Sequence, residues 1–128
     1  MPKSVLKIVV IGLVLSALIA LAVYLGGPAP VYCQQSFAER DQPVVMFSSR
    51  FCPYCRQARL LFAQHHIRYC EYNVNTSPEN QQEFLNLGGL GVPLIMIGDE
   101  VFYGFNESII TAELEHQGFL AWTTDRNK

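Results

Sequence analysis

The stretch that decides the fold is residues 43–55, with the sequence PVVMFSSRFCPYC. It begins with a short continuous apolar run, Pro43 to Ser48, which is typical of a strand buried on both faces of a sheet. The next residues, Pro53 to His66, bring three apolar side chains to helical spacing, at Ala58, Leu61 and Phe62. The sequence therefore predicts a buried strand that leads into a helix, with two cysteines at the junction.

The chain beyond this junction predicts a second strand and a second helix. Residues 67–74 are rich in residue types that favour strands. Thr76-Ser77-Pro78-Glu79 combines a hydroxyl cap, a proline for the first turn and an acid near the positive end of the helix dipole. This helix is predicted to run to about Leu87 and to stop at Gly88-Gly89.

The last third of the chain predicts a hairpin and a final helix. Leu94 to Ile97 and Val101 to Tyr103 are short strands joined by a turn at Gly98-Asp99-Glu100. Asn106 is a suitable cap for a helix that runs to about Gln117. The predicted order is βαβαββα. Because a strand–helix–strand unit joins parallel strands by a right-handed crossover, we expect an α/β fold with one four-stranded mixed sheet and helices on its faces.

Cys52-Pro53-Tyr54-Cys55 carries the predicted chemistry. Two cysteines three positions apart at a helix start can close a small disulfide, and a thiol at a helix N-terminus has a lowered pKa because free N–H groups and the helix dipole favour the thiolate. Arg50 and Arg56 lie close in sequence and add favourable charge. The thiolate is the nucleophile of thiol–disulfide exchange, and Cys55 is the natural resolving thiol. An inert structural disulfide and half of a zinc site are the alternatives.

Gly91-Val92-Pro93 is the second candidate element. Pro93 begins a predicted strand, where a proline requires a special reason. A cis Val92–Pro93 bond would turn the chain and leave the backbone N–H and C=O of Val92 free to pair with an extended thiol-bearing peptide. The alternative is an ordinary trans proline in a turn.

From Gln42 to Gln117 the chain resembles a glutaredoxin, a small protein of the thioredoxin fold. The resemblance depends on Val44-Val45-Met46-Phe47, Cys52-Pro53-Tyr54-Cys55, Val92-Pro93 and Gly104-Phe105-Asn106-Glu107. It implies that Cys52 takes glutathione as a mixed disulfide and that Cys55 resolves protein disulfides. It also implies a glutathione and substrate site made by Arg50, Pro53, Tyr54, Val92, Pro93, Gly104, Phe105, Asn106 and Glu107, with glutathione as co-substrate and no metal.

The chain departs from the dithiol glutaredoxin pattern at several positions. The family usually has a lysine three residues before the nucleophile, where this chain has Ser49 followed by Arg50. The family's Gly-Gly-x-Asp-Asp loop appears as residues 103–107, YGFNE, and Gly91 stands where a threonine is common. These changes weaken the expectation of glutathione specificity. A dithiol oxidoreductase served by another donor, a glutathione-ligated iron–sulfur module and a redox-inert interaction domain are the alternatives.

The amino-terminal segment predicts attachment to a membrane. Ile8 to Leu25 is an apolar run of 18 residues, and a helix of that length spans roughly 27 Å, close to the thickness of a bilayer core. Lys3 and Lys7 precede the run, so we expect the following domain outside the cytoplasm, in a periplasm or lumen. A signal peptide cleaved near Ala22, giving a soluble exported protein, is the alternative.

Charge and composition limit the partners. The formal net charge is −2, and two of the nine cations precede the apolar run, so the rest of the chain is mildly acidic. We expect no nucleic-acid binding. The expected partners are glutathione, disulfide-bearing proteins and the membrane through residues 8–25, and the chain is expected to be a monomer. The predicted organisation is a membrane or signal segment (1–27), a linker (28–41), a glutaredoxin-like domain (42–118) and a tail (119–128).

Some residues are expected to be structural. His65-His66 is expected at a helix end rather than in a metal site, and Cys70 is expected to be an inert thiol in a buried strand. Cys33 is expected to be exposed in the linker, where in an oxidising compartment it could form an intermolecular disulfide or receive a mixed disulfide. The remaining apolar side chains expected in the core are Phe84, Leu85, Leu87, Ile109 and Ile110. Trp122 lies in the tail, and the sequence assigns it no role.

Overall fold

The computed structural model describes residues 2–26 and 30–120 of the chain. Its elements in chain order are α1 (Lys3–Gly26), a short 3-10 turn (Phe37–Glu39), β1 (Val44–Ser48), α2 (Pro53–Gln64), β2 (Cys70–Asn73), α3 (Pro78–Asn86), β3 (Leu94–Ile97), β4 (Glu100–Tyr103) and α4 (Glu107–His116). The predicted βαβαββα order after the apolar segment is confirmed.

The four strands form one mixed sheet in the order β2-β1-β3-β4. β1 runs parallel to β2 and antiparallel to β3, and β3 and β4 form an antiparallel hairpin. The sequence-based prediction of a four-stranded mixed sheet is therefore correct. The hairpin turn contains Gly98 and Asp99 alone, because Glu100 already belongs to β4. Gly98 has a φ of 60°, a backbone conformation that favours glycine.

Alternate side chains of the sheet enter two hydrophobic clusters. Val44 and Met46 face α2 and α4, and their cluster includes Cys55, Ala58, Leu61, Phe62, Tyr69, Ile95, Ile97, Ile110, Leu114 and Leu120. Val45 and Phe47 face α3, and their cluster includes Cys70, Tyr72, Phe84, Leu94 and Met96. All five residues of β1 are buried, as the continuous apolar run predicts for a central strand covered on both faces.

The segment before β1 packs onto the same sheet. The backbone N–H of Glu71 donates to the carbonyl of Val31 at 2.8 Å, and Tyr32 forms an isolated parallel bridge with Glu71. The ring of Phe37 lies 5.3 Å from that of Phe47, centroid to centroid. At the other end of the predicted domain, Leu120 is buried in the first cluster. The packed unit thus includes parts of the predicted linker and tail, and Trp122 lies outside the described residues.

A disulfide joins Cys33 to Cys70, with a Cα–Cα distance of 5.3 Å. Cys70 is buried in β2 as expected, but the expectation of a free inert thiol is wrong. Cys33 is half-buried rather than exposed. The two residues are 37 positions apart, so their spacing carries no pairing signal. They meet because residues 31 and 32 lie alongside the outer edge of β2.

Two side chains expected in the core are exposed. Leu85 is 53% exposed on α3, and Ile109 is 54% exposed on α4. In each case the neighbouring residue, Phe84 or Ile110, takes the buried position because helical geometry directs only one of two successive side chains toward the sheet. Leu87 is half-buried against the cluster that contains Phe84.

A buried ion pair lies between α2 and β2. The Arg59 guanidinium donates to both carboxylate oxygens of Glu71, whose side chain is fully buried, and the Tyr69 hydroxyl lies 3.4 Å from the same carboxylate. The hydrogen bond to Glu71 raises the pKa of Arg59, and burial raises the pKa of Tyr69, with the Glu71 charge acting in the same direction. Arg59 and Glu71 carry opposite charges and are hydrogen-bonded to each other. Such hydrogen bonds are needed to offset the cost of removing a charged pair from water.

Within the described residues, one helix is long and apolar enough to cross a membrane. This is α1, in the stretch Lys3–Leu25, and its side chains are exposed along the whole length. Length and composition support the predicted apolar segment, and the helix extends it by one turn toward Lys3.

We predict that Arg59→Met lowers the free energy of unfolding by about 3–5 kcal/mol, because it leaves the fully buried Glu71 carboxylate without its partner. The double variant Arg59→Met/Glu71→Leu should recover most of that loss, since it removes both charges and keeps the side-chain volume. Urea unfolding of the detergent-solubilised chain, followed by tyrosine fluorescence, measures both. Equal losses in the single and double variants would argue against this account.

Candidate functional site

Cys52 and Cys55 form a disulfide at the N-terminus of α2, with a Cα–Cα distance of 5.2 Å. Cys52 is the N-cap residue, and the backbone N–H of Cys55 donates to its Sγ at 3.1 Å. Pro53 fills the first helical position, where no N–H donor is needed. A thiolate at Cys52 would face the free N–H groups and the positive end of the helix dipole.

The two cysteines differ in access. Cys55 has no exposed surface and packs among the side chains of the cluster beneath α2, whereas Cys52 is half-buried at the edge of the same cluster. An external disulfide can therefore reach Cys52 first, and Cys55 is placed to attack the Cys52 Sγ of the resulting mixed disulfide, which closes the Cys52–Cys55 bond and releases the other thiolate. This is the division of roles that the sequence predicts.

The Val92–Pro93 peptide bond is cis, which confirms the prediction for this proline over the trans alternative. Pro93 is buried, and its carbonyl accepts a hydrogen bond from the Gly104 N–H at 2.8 Å. No hydrogen bond engages the backbone N–H or C=O of Val92 within the part of the chain that the structure describes. These two groups are available to an extended peptide.

Strand register brings these segments to one end of the sheet. Phe47 pairs with Leu94, so Pro93 lies beside the carboxyl end of β1, from which the chain continues to Cys52. Leu94 pairs in turn with Tyr103, so Gly104 follows at the same end. The strand pairing alone thus brings together the segment after β1, the segment before β3 and the segment after β4.

A groove of about 380 Å³, here called the Val92 groove, opens at this end of the sheet. It is lined by Tyr54, Val92, Pro93, Phe102, Tyr103, Gly104, Phe105, Asn106, Ile109 and Ile110. Asn106 caps α4, where its side-chain oxygen accepts a hydrogen bond from the Ile109 N–H at 3.1 Å. The N-terminus of α4 therefore lies on the groove wall, where a carboxylate can be bound.

The other predicted site residues lie outside this groove. Arg50 and Pro53 line a second hollow with Cys52, and the Arg50 guanidinium lies 5.5 Å from the centroid of the Phe51 ring. Glu107 lines a third hollow against the exposed face of α2, together with Gln57. Of the predicted binding residues, six share the Val92 groove, and Arg50, Pro53 and Glu107 do not.

Four residues of the groove were not predicted as site residues. Phe102 was assigned only to a strand, Tyr103 to a strand and to the start of the loop 103–107, and Ile109 and Ile110 to the core. Tyr103 is largely exposed, and its hydroxyl donates to the carbonyl of Leu87 at 2.7 Å. Their signal is position alone, since all four lie within three places of the predicted residues 104–107.

No group of three or more His, Cys, Asp or Glu side chains within the described ranges is arranged to hold a metal ion. The charge near Cys52 is positive instead. Arg50, Arg56 and Arg59 all line the hollow beside it. Arg59 is neutralised by Glu71, and the Arg56 guanidinium donates to the uncharged Leu25 carbonyl at the end of α1. Arg50 and Arg56 therefore keep their charge in this hollow and would favour a thiolate at Cys52.

This arrangement has counterparts among known proteins. The family model for glutaredoxin matches residues 44–102. A glutaredoxin of Neisseria meningitidis is 41% identical over 68 residues, which cover 52% of this chain and 80% of that protein. The glutaredoxin-like protein NrdH of Lactococcus lactis is 28% identical over 65 residues, covering 51% of this chain and 90% of that one. The crystal structure of the glutaredoxin from Archaeoglobus fulgidus superposes with a TM-score of 0.55 at 16% identity, covering 64% of this chain and 96% of that structure.

The chain belongs to the glutaredoxin family. The resemblance seen in the sequence is therefore correct, and the protein is a thiol–disulfide oxidoreductase of thioredoxin-like fold. This glutaredoxin differs from the matched proteins in length, because the match to the Neisseria protein spans only about half of the chain. The residues matched by the family model, 44–102, leave out α1 and the segment that carries Cys33.

For the reduced glutaredoxin, we predict that iodoacetamide at pH 7 alkylates Cys52 roughly tenfold or more faster than Cys55, because Cys52 is accessible and its thiolate is favoured by the helix N-terminus. Peptide mass spectrometry after timed quenching measures both rates in one sample. The variant Arg56→Gln should slow alkylation of Cys52, while Cys33 and Cys70 stay joined in their disulfide and are not alkylated. Equal alkylation rates at Cys52 and Cys55 would contradict the assigned roles.

Proposed function

We propose that this glutaredoxin reduces protein–glutathione mixed disulfides and protein disulfides, with glutathione as the electron donor. The observation that carries the proposal is the Cys52–Cys55 pair at the N-terminus of α2, at the same end of the sheet as the Val92 groove. A nucleophilic sulfur beside a groove with a free backbone strand is what a thiol-bearing peptide requires for docking and reaction.

In the proposed reaction, the Cys52 thiolate attacks the glutathionyl sulfur of a mixed disulfide, and the protein thiolate leaves and takes a proton from water. A second glutathione thiolate then attacks the sulfur held by Cys52, which forms glutathione disulfide and returns the Cys52 thiolate. With a protein disulfide as substrate, Cys55 attacks the mixed disulfide at Cys52, releases the reduced protein and closes the Cys52–Cys55 disulfide. Two glutathione molecules reopen that disulfide and leave as glutathione disulfide.

The groove supports a defined orientation for glutathione. The free N–H and C=O of Val92 would pair with the cysteinyl part, which brings its sulfur toward Cys52. The N-terminus of α4, capped by Asn106, would hold a carboxylate of the tripeptide. Tyr54 would close the groove on the side of the cysteines.

The proposed location is outside the cytoplasm, with α1 retained as a single membrane anchor. Lys3 and Lys7 favour the cytoplasm for the amino terminus. The Cys33–Cys70 disulfide supports an oxidising compartment for the domain, because such bonds persist there and are rare in the cytosol. Cleavage near Ala22 would leave the same domain in the same compartment without its anchor.

A donor other than glutathione is the second candidate, and it is favoured by the charges around the groove. Ser49 replaces the usual lysine, Arg50 lines the hollow beside Cys52 rather than the groove, and Glu107 faces α2. The Val92 groove therefore has few charged partners for the two ends of glutathione among the described residues. The glutathione dependence of turnover distinguishes the two donors.

We expect Cys52→Ser to abolish turnover because it removes the attacking sulfur. Cys55→Ser should keep part of the activity toward a glutathionylated peptide, which needs only Cys52 and glutathione, and should lose activity toward a protein disulfide. Both are measured by coupling glutathione disulfide formation to its NADPH-dependent reduction. Undiminished turnover in Cys52→Ser would refute the proposal. Reduction of a protein disulfide by wild type with another thiol donor, but not with glutathione, would favour the second candidate.

We expect Asn106→Ala to raise the KM for glutathione by about fivefold, equivalent to about 1 kcal/mol, because it removes the cap and a groove-lining amide. Ser77→Ala is the matched control, since Ser77 caps α3 by the same kind of hydrogen bond, to the Asn80 N–H at 3.3 Å, away from the groove. Both variants should lose about 1 kcal/mol of stability. An equal rise in KM in both would mean that the N-terminus of α4 does not bind glutathione.

A further inference from the structure

Residues 31–33 are attached to β2 in two independent ways. The Val31 carbonyl and Tyr32 join the outer edge of β2 through the backbone, and the Cys33–Cys70 disulfide fixes the next residue covalently. Phe37 adds a ring contact to Tyr72 at 5.9 Å between centroids. The redox domain therefore begins, in mechanical terms, at Val31 rather than at β1.

This attachment leaves a short connection to the membrane helix. The apolar stretch ends at Leu25, so six residue steps separate it from Val31. An extended chain advances by at most about 3.5 Å per residue, which limits the connection to about 21 Å. Without the attachment at residues 31–33 the first packed residue would be Phe37, whose ring contacts Phe47, and the limit would be about 42 Å.

We propose that the Cys33–Cys70 disulfide holds the Cys52 site close to the bilayer, so that its substrates are disulfides on membrane-attached proteins near the membrane surface. This rests on the proposed function and on α1 as a retained anchor. A domain of this size is about 30 Å across, so Cys52 can reach no further than about 50 Å from the membrane. A disulfide held beyond that distance on another membrane protein has an effective concentration near zero.

The Tyr32 bridge and the Cys33–Cys70 disulfide contribute differently to keeping the connection short. The single bridge at Tyr32 is too short a pairing to hold the segment alone, since isolated strand pairs are marginal in water. The disulfide closes a loop of 37 residues between Cys33 and Cys70 and resists extension of the chain. Cys70 is fully buried and Cys33 is half-buried, so the bond is shielded from exchange with thiols in solution.

The test uses the full chain in liposomes with a membrane-anchored substrate. The substrate is a single-pass peptide whose glutathionylated cysteine sits on a rigid helical spacer, either about 15 Å or about 65 Å from the bilayer, at about 1.5 Å per residue. We expect wild type to reduce the near cysteine at least about tenfold faster than the far one. Equal rates on the two spacers would overturn the proposal.

Two variants lengthen the connection by different routes. Cys33→Ala/Cys70→Ala removes the disulfide, and an insertion of 18 Gly-Ser residues after Gly27 lengthens the connection while the disulfide stays. Both should raise the rate on the far cysteine several-fold and leave the rate on a soluble glutathionylated peptide unchanged. A low rate on the soluble glutathionylated peptide would reveal that the double alanine variant fails to fold. In that case the insertion variant alone tests the proposal. No gain on the far cysteine in the insertion variant would overturn the proposal.

A second readout does not depend on catalysis. A dye attached through an azide-bearing residue at Gln81, which is exposed on α3, transfers energy to acceptor dyes in the lipid headgroups. Transfer should be stronger in wild type than in the insertion variant. If soluble glutathionylated peptide is not reduced but this difference is present, the proposed function fails while the short tether stands. Equal transfer in both would overturn the tether.

Discussion

The geometry of the site depends on the pairing of β1 with both of its neighbours. β1 is buried on both faces and hydrogen-bonded on both edges, so its direction and register are fixed by packing and by two ladders at once. Its carboxyl end leads within a few residues to Cys52, and its antiparallel partner β3 begins at the same end, directly after Pro93. A shift of one residue in the register with β3 would invert the faces of β3 and separate Pro93 from the cysteines.

Much of this could be predicted from sequence because it depends on local signals. The continuous apolar run of residues 44–47, the capping residues Ser77 and Asn106 and the cysteine pair each act within a few residues of themselves. The Cys33–Cys70 disulfide could not be predicted, since it depends on where a segment without strand signals joins an existing sheet edge. The position of Ile109 was also missed, because helical spacing does not distinguish a core face from a groove wall.

The buried ion pair anchors the helix that carries the nucleophile. Arg59 lies about two helical turns beyond Cys52, and its guanidinium binds the carboxylate of Glu71, which belongs to β2 of the sheet. An apolar contact would tolerate rotation of α2, whereas a bidentate pair with a fully buried carboxylate allows one orientation. The same strand holds Cys70, so β2 connects the position of the active helix to that of the segment leaving the membrane.

The Tyr32–Glu71 bridge has a further consequence for behaviour at a membrane. β2 is an outer strand, and exposed outer strands pair readily with those of other molecules. Anchored proteins meet one another in two dimensions, at local concentrations far above those of a soluble form. By occupying the Glu71 N–H with its own Val31 carbonyl, the chain covers the middle of this edge with itself. The segment that limits the reach of the site also protects the sheet from association with neighbouring copies.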